Sequence, residues 1–250
     1  MKKRLLVLAV MAMATSLATA DVVSKNVVGY YTVKLNTNGY SMIGINFNSI
    51  DGTGIPLQDL FLPSSLYPGD GEWDLDNCDQ IIVWDNTLQG YVTFRYFDQG
   101  SGPAWYDENY DEATNTLNPG VGFWFYRPTA NGEEDVKIVG QVDERETIER
   151  TFLPGWSMFS KAFPVENLIG EEIEGYPGEG EWDLDNCDTF TIWDNEVNGY
   201  KTYYYMDQGS GPAWYDENYD PVSENFLLGT AAWYLYKGSG TLEWTESNPL

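Results

Sequence analysis

The chain carries one passage twice. Residues 98–111 read DQGSGPAWYDENYD, and residues 207–220 repeat those letters without a change. GEWDLDNCD recurs in the same way at 71–79 and 180–188, so both pairs share one offset of 109 residues. Across 71–111 and 180–220, 30 of 41 positions are identical, and the differences gather in the apolar stretches, QIIV against TFTI and VTFRYF against KTYYYM. An internal repeat of this length means two copies of one unit, each needing its own core. The apolar mass suffices for two units of ordinary domain size. The expected organisation is therefore module one over residues 21–145 and module two over 146–250. The charged run DERETIER (143–150) marks the join.

Within each copy the signal is β. Asn26–Leu35 is dense in β-branched and aromatic residues, and Asn38-Gly39 then marks a turn. Tyr40–Phe47 follows as a strand. Ile81–Trp84 and Tyr91–Phe97 flank the loop DNTLQG, and Thr189–Trp193 and Tyr200–Met206 repeat that hairpin around DNEVNG. Gly122–Arg127 and Val136–Val142 close module one, and Ala231–Lys237 and Thr241–Thr245 close module two. Asp85-Asn86 and Asp194-Asn195 read as turn formers through side-chain bonds to backbone. Helical periodicity is weak, apart from one turn near Leu57–Leu60 after Pro56. Short, evenly spaced strands broken by Gly, Asn and Asp predict an all-β protein of two tandem sandwich-like or barrel-like modules.

The first twenty residues read as a cleaved Sec signal peptide. Lys2, Lys3 and Arg4 precede the apolar run Leu5–Ala14, and Ala18-Thr19-Ala20 supplies an A-x-A cleavage site. That run is shorter than the roughly 20 residues of a membrane span. Export to the periplasm, the outer surface or the medium is the expectation. Removing the three basic residues takes the net charge from −26 to −29. Such a charge repels nucleic acid and anionic lipid and attracts cations. The chain has no histidine, so Ser-His-Asp and Cys-His catalysis and the usual zinc sites are excluded.

NVVGYYTVKL after a signal sequence, GYSMIGINF or GWSMFSKAF, a WDN hairpin and LNPGVGFWFYR together resemble a family. It comprises uncharacterised secreted β-modules of environmental Gram-negative bacteria, with the pattern GW-x-L-I…W-D…P-G-x-G-F. The resemblance implies an exported β-sandwich and no assigned activity. Module two departs from the pattern where Pro119, Gly122 and Phe123 become Leu228, Ala231 and Ala232.

Several residue groups could carry chemistry. Cys78 and Cys187 occupy equivalent positions. A disulfide between them is one reading, if the modules meet about a twofold axis; free thiols or a bridge between chains are the others. Asp74, Asp76 and Asp79, with Asp183, Asp185 and Asp188, could supply oxygens to Ca²⁺, because alternate side chains of an extended strand share a face. Solvated loop carboxylates are the plainer reading. Trp105, Tyr106, Asp107 and Tyr110, with Trp214, Tyr215, Asp216 and Tyr219, combine rings with acids, as sugar-binding surfaces do. Burial of both tryptophans in the module cores is the competing reading. Trp73, Trp182, Trp84 and Trp193 read as core or edge packing. The leading functional expectation is a non-enzymatic structural, adhesive or interaction protein whose partner is an extracellular glycan or surface protein. A glycan-binding module, with or without calcium, is the alternative; a hydrolase would need two acids in one cleft.

Overall fold

The computed structural model describes residues 27–36, 38–128, 135–171, 173–195 and 199–249. The signal-peptide reading lies outside them. The described chain is almost entirely antiparallel β-structure, and no described helix is long and apolar enough to cross a membrane.

The strands divide into two sets. The first holds β1 (Val28–Lys34), β2 (Gly39–Gly44), β3 (Ile55–Pro56), β4 (Gln80–Asp85), β5 (Gly90–Asp98), β6 (Pro103–Tyr106), β7 (Thr116–Leu117), β8 (Gly122–Arg127) and β9 (Asp135–Gln141). The second holds β10 (Thr147–Phe152), β11 (Gly155–Ser160), β12 (Asn167–Leu168), β13 (Asp188–Asp194), β14 (Gly199–Asp207), β15 (Pro212–Tyr215), β16 (Asn225–Phe226), β17 (Ala231–Tyr236) and β18 (Leu242–Ser247). Each set builds a five-stranded sheet, β2-β8-β4-β5-β6 or β11-β17-β13-β14-β15, and two small ladders, β1-β9 with β3-β7 or β10-β18 with β12-β16. Among the described residues no ladder joins the two sets. The helical turn anticipated after Pro56 is a single 3-10 turn, Leu57–Asp59.

Alternation along the strands decides what each sheet buries. In β4, β5 and β8 one face carries Ile81, Phe94, Phe123 and Phe125 into a core with Tyr31 and Val33 of β1, Val136 and Ile138 of β9, and Leu117 of β7. In the second half Phe159, Phe190, Tyr203 and Tyr234 pack against Phe152 of β10, Trp244 of β18 and Phe226 of β16. Each half is thus a sheet with its ladders laid over one face.

The opposite faces of the two sheets meet each other. Met42 and Trp124 of the first half pack with Met158, Ala231 and Trp233 of the second, flanked by Ile82, Trp84 and Trp193. Two backbone bonds seal the join in equivalent positions: Gly44 N–H donates to the Gly229 carbonyl (2.8 Å), and Ser160 N–H donates to the Gly120 carbonyl (2.9 Å). The approach is close enough that a Cβ on Gly44 would lie 2.2 Å from the Thr230 carbonyl oxygen. Exchange of the halves maps these contacts onto one another, as a pseudo-twofold axis requires.

The DERETIER run is not a plain linker. Thr147–Arg150 already belongs to β10, paired with β18. Arg150 is held over the rings of Phe159 and Trp244 at 5.3 and 5.1 Å, so its charge does not keep it in solvent.

Candidate functional site

The facing sheets leave two clefts of nearly equal size beside their common core. One, of 450 Å³, is lined by Trp84 and Tyr91 from the first half and by Trp156, Thr191, Tyr200, Thr202 and Trp233 from the second. The other, of 460 Å³, is lined by Tyr40, Ile82, Tyr91, Thr93 and Trp124 from the first and by Trp193 and Tyr200 from the second. Each lining residue of one cleft has its repeat equivalent in the other, so the same exchange of halves interconverts them. Tyr91 and Tyr200 belong to both, which makes the two clefts one groove crossing the axis.

Ring geometry repeats as closely. Trp84 meets Trp233 edge-on at 5.1 Å, as Trp124 meets Trp193 at 5.4 Å. Trp84 lies 4.9 Å from Tyr91, and Trp193 lies 4.8 Å from Tyr200. At the rims, Trp156–Trp233 and Tyr40–Trp124 are both 6.0 Å apart. Offset and edge-on ring pairs of this kind each add about 0.5–1.5 kcal/mol beyond area burial. Trp84 Nε1–H and the Gln89 amide both donate to the Trp156 carbonyl (3.2 and 3.1 Å), which fixes that ring across the join. Trp124 and Trp233 form the buried floor, while Tyr40, Tyr91, Trp156 and Tyr200 stand about half exposed. No lining residue is charged. Burial pushes the Tyr91 and Tyr200 hydroxyls up from their ordinary range, and at Tyr200 the neighbouring Tyr91 adds to it; at Tyr91 a hydrogen bond with Trp124 partly offsets the rise. Both therefore remain protonated donors at neutral pH.

The groove was not among the sequence candidates. Trp84 and Trp193 pack between modules rather than within one, and the visible trace was the outward row Ile82, Trp84, Tyr91 and Thr93, aromatic and hydroxylic where solvent would favour charge.

The sequence-selected rings fare differently. Trp105 is 1% exposed and Trp214 7%, each plugging its own module core, so neither offers a face to a sugar. Tyr106 and Tyr215 are also buried. Asp107 and Asp216 accept hydrogen bonds from the backbones of Asn109 and Asp111, and of Asn218 and Asp220, as turn staples. Only Tyr110 and Tyr219 remain exposed, and each packs on a tryptophan that the sequence reads as core or edge packing. Trp73–Tyr110 ring centroids are 5.9 Å apart and Trp182–Tyr219 5.7 Å. Both tryptophans are 50% exposed. All four residues adopt left-handed φ, from 60° to 66°. For an L-residue that costs of order 1 kcal/mol, and no glycine relieves it.

The six aspartates considered for calcium form no group of three among the described residues. The GEWDLDNCD segment is a tight turn rather than a strand, so Asp74 and Asp76 do not share a face as expected. Asp74 accepts bonds from the Asp70 backbone and from Asn77, and Asp183 from the Glu179 backbone and Asn186. These bonds hold both carboxyls below the usual range, the Asp70 and Glu179 backbone N–H groups contributing most. Asp79 and Asp188 are turned inward and fully buried, away from Asp76 and Asp185 on the surface. Among the described residues no group of three or more acids or cysteines is placed to hold a metal ion.

The disulfide reading is corrected as well. Cys78 and Cys187 are both free and buried. Each thiol packs at the β6 or β15 side of its sheet, Cys78 with Phe97 and Tyr106, Cys187 with Met206 and Tyr215. The modules meet through the other edge, β2/β8 against β11/β17, so the equivalent cysteines are carried apart rather than together. Burial pushes the Cys78 thiol up to about 12 and the Cys187 thiol to about 11, which leaves negligible thiolate for exchange. Asp85 behaves as expected, capping its turn through bonds from the Thr87 and Leu88 backbones. No family model, no curated protein and no solved structure matches the chain.

Proposed function

We propose that the protein is an exported, non-enzymatic adhesive or interaction protein that holds a neutral glycan chain in the groove between its modules. The observation that carries this reading is the pair of symmetric, uncharged aromatic clefts sharing Tyr91 and Tyr200. A sugar ring has an apolar C–H face and a rim of hydroxyls. The groove offers the complement, with ring faces at Tyr40, Trp156, Tyr91 and Tyr200 and neutral hydroxyls on those tyrosines and on Thr93, Thr191 and Thr202. Ligand sites combine apolar aromatic walls with a few placed polar groups in this way. The lining contains no carboxylate to protonate a leaving group, which supports binding without hydrolysis. The basic, apolar and A-x-A segments at the N-terminus support export.

Ten tryptophans give the assay its signal. Intrinsic fluorescence should change on titration with one or more of a panel of neutral gluco-, xylo-, manno- and chito-oligosaccharides. Trp156→Ala and Tyr40→Ala, one at the rim of each cleft, should each weaken binding about five- to tenfold, the loss of one stacked ring. Flat traces across the panel, or a response that both variants leave intact, would overturn the reading.

A further inference from the structure

A second aromatic surface is independent of the groove. The exposed pairs Trp73–Tyr110 and Trp182–Tyr219 sit beside the β5–β6 and β14–β15 edges, at the side of each sheet remote from the join. They are built alike. Trp73 N–H donates to the Asp98 carbonyl and Trp182 N–H to the Asp207 carbonyl, both at 2.9 Å. The Gln99 and Gln208 amides donate to the Tyr110 and Tyr219 carbonyls at 2.9 and 3.1 Å. Asp98 and Asp207 accept from the glycines of the intervening loop. The rings are therefore fixed on locked turns, and their exposure is not a by-product of loose chain.

Charge separates this surface from the groove. The segments that frame the pairs, 70–79 with 98–112 and 179–188 with 207–220, contain no lysine or arginine and many acids. Glu72, Asp76 and Glu108 stand exposed around the first pair, as Glu181, Asp185 and Glu217 do around the second. The nearby carboxylates Asp74, Asp98 and Asp107 accept backbone N–H groups within their own turns. What remains is a diffuse negative field over aromatic faces. That combination suits an organic cation rather than a hard metal ion or a neutral sugar. Guanidinium fits best, because it is planar, weakly hydrated and stacks on Trp and Tyr.

We propose that Trp73–Tyr110 and Trp182–Tyr219 are two equivalent docking patches for arginine-rich segments of a basic partner protein. Two such patches on one molecule allow a partner with two arginine-rich segments, or two partners, to be held at once. One basic side chain lies near each patch, Arg95 close to Cys78 and Lys237 close to Cys187, so the two patches bind alike.

The test uses the full chain and a labelled arginine octamer, with a lysine octamer beside it, followed by anisotropy at about 0.15 M ionic strength where long-range attraction is screened. Two binding events are expected, with arginine preferred to lysine. Asparagine tolerates left-handed φ and changes no charge, so Trp73→Asn/Trp182→Asn and Tyr110→Asn/Tyr219→Asn should keep the thermal midpoint within a few degrees. Each pair should weaken arginine-octamer binding about tenfold or more. Retained affinity in both folded double variants would reduce the interaction to general attraction by an acidic protein and overturn the proposal. So would a loss produced by Tyr40→Ala/Trp156→Ala instead. Neither result bears on oligosaccharide binding in the groove.

Discussion

The two modules place the same aspartate in the same buried position and satisfy it by different chemistry. In module one Asp79 takes a bidentate pair from Arg127, Nε at 2.9 Å and Nη2 at 2.5 Å, plus the Tyr67 backbone N–H at 2.8 Å. Both side chains of that ion pair are wholly buried, and Arg127 also donates to the Ser65 carbonyl. In module two the residue equivalent to Arg127 is Tyr236, and the one equivalent to Phe125 is Tyr234. Asp188 there receives the Tyr234 hydroxyl (2.5 Å) and the backbones of Tyr176 (2.7 Å) and Lys237 (2.6 Å). A paired cation and a set of neutral donors thus do the same structural job. They differ in what remains when the carboxylate is lost: a buried guanidinium in one case, a few neutral donors in the other.

That difference sets the largest expected effect. Asp79→Asn leaves Arg127 charged and uncompensated in the core, a change that costs about 3–5 kcal/mol. Asp188→Asn leaves no charge behind and costs about 1–3 kcal/mol. Denaturant unfolding of the two variants should rank them in that order. Equal losses would show that Arg127 escapes to solvent. Converting module one to the chemistry of module two, by Phe125→Tyr with Arg127→Tyr in one chain, should recover most of what Arg127→Tyr alone loses. In module two, Tyr234→Phe removes one donor from a carboxylate and should cost about 1.5–3 kcal/mol.

A smaller asymmetry lies at the join. The Asn195 amide brackets the Met42 backbone across the interface, accepting from its N–H at 3.1 Å and donating to its carbonyl at 3.4 Å. Among the described residues its equivalent, Asn86, makes no such bond to Met158. Asn195→Ala should therefore cost about 1 kcal/mol, the net worth of an ordinary hydrogen bond, and Asn86→Ala close to nothing. If thermal scans show the reverse, the two sides of the join are not loaded as described.

Sequence and structure agree where the information is local. The hairpins at 80–98 and 188–207 follow from β-branched and aromatic runs around Asp-Asn turns, and Gly122–Arg127 was bounded to the residue. β10 was missed because ERETIER reads as solvated charge; its ladder with β18 and the burial of Ile148 and Phe152, with Arg150 packed over Phe159 and Trp244 between them, make it a strand. The two-residue strands β3, β7, β12 and β16 are too short for any period to show. Which aspartate of DLDNCD turns inward was equally illegible, because the partners that hold Asp79 and Asp188, Tyr67 with Arg127 and Tyr176 with Tyr234, lie elsewhere in the chain. The exposed Trp73 and Trp182 left no trace either: left-handed φ is announced by Gly or Asn, not by Trp. The groove needed both copies at once, since each cleft borrows rings from the other module.

The most delicate contrast is in pH. Asp143, at the start of the join, accepts bonds from Arg145 Nε and Nη2 (both 2.8 Å) and from the Asn48 amide (2.9 Å), and its carbonyl receives the Asn248 amide (2.8 Å). Hydrogen bonding to Arg145 leads the effects that hold its carboxyl down to about 2. A depressed folded value means that its stabilisation is fully present above the unfolded value of about 3.9 and is lost as pH falls toward 2. Asp188 has the opposite sign. Burial, outweighing the Lys237, Tyr234 and Tyr176 donors, raises its folded value. Its protonated form is favoured by folding, so that contribution is present below about 3.9 and fades as pH rises through the raised value. Thermal midpoints between about pH 2 and pH 7 should therefore shift in opposite senses in the two variants. Asp143→Asn should flatten the acid limb, because nothing is left there to protonate. Asp188→Asn should cost less near neutral pH than at about pH 3, because the wild-type carboxylate is already penalised at the higher pH. Parallel profiles for the two variants would mean that burial does not penalise the Asp188 carboxylate, and the contrast between a carboxylate held by Arg145 and one sunk in the module core would fail.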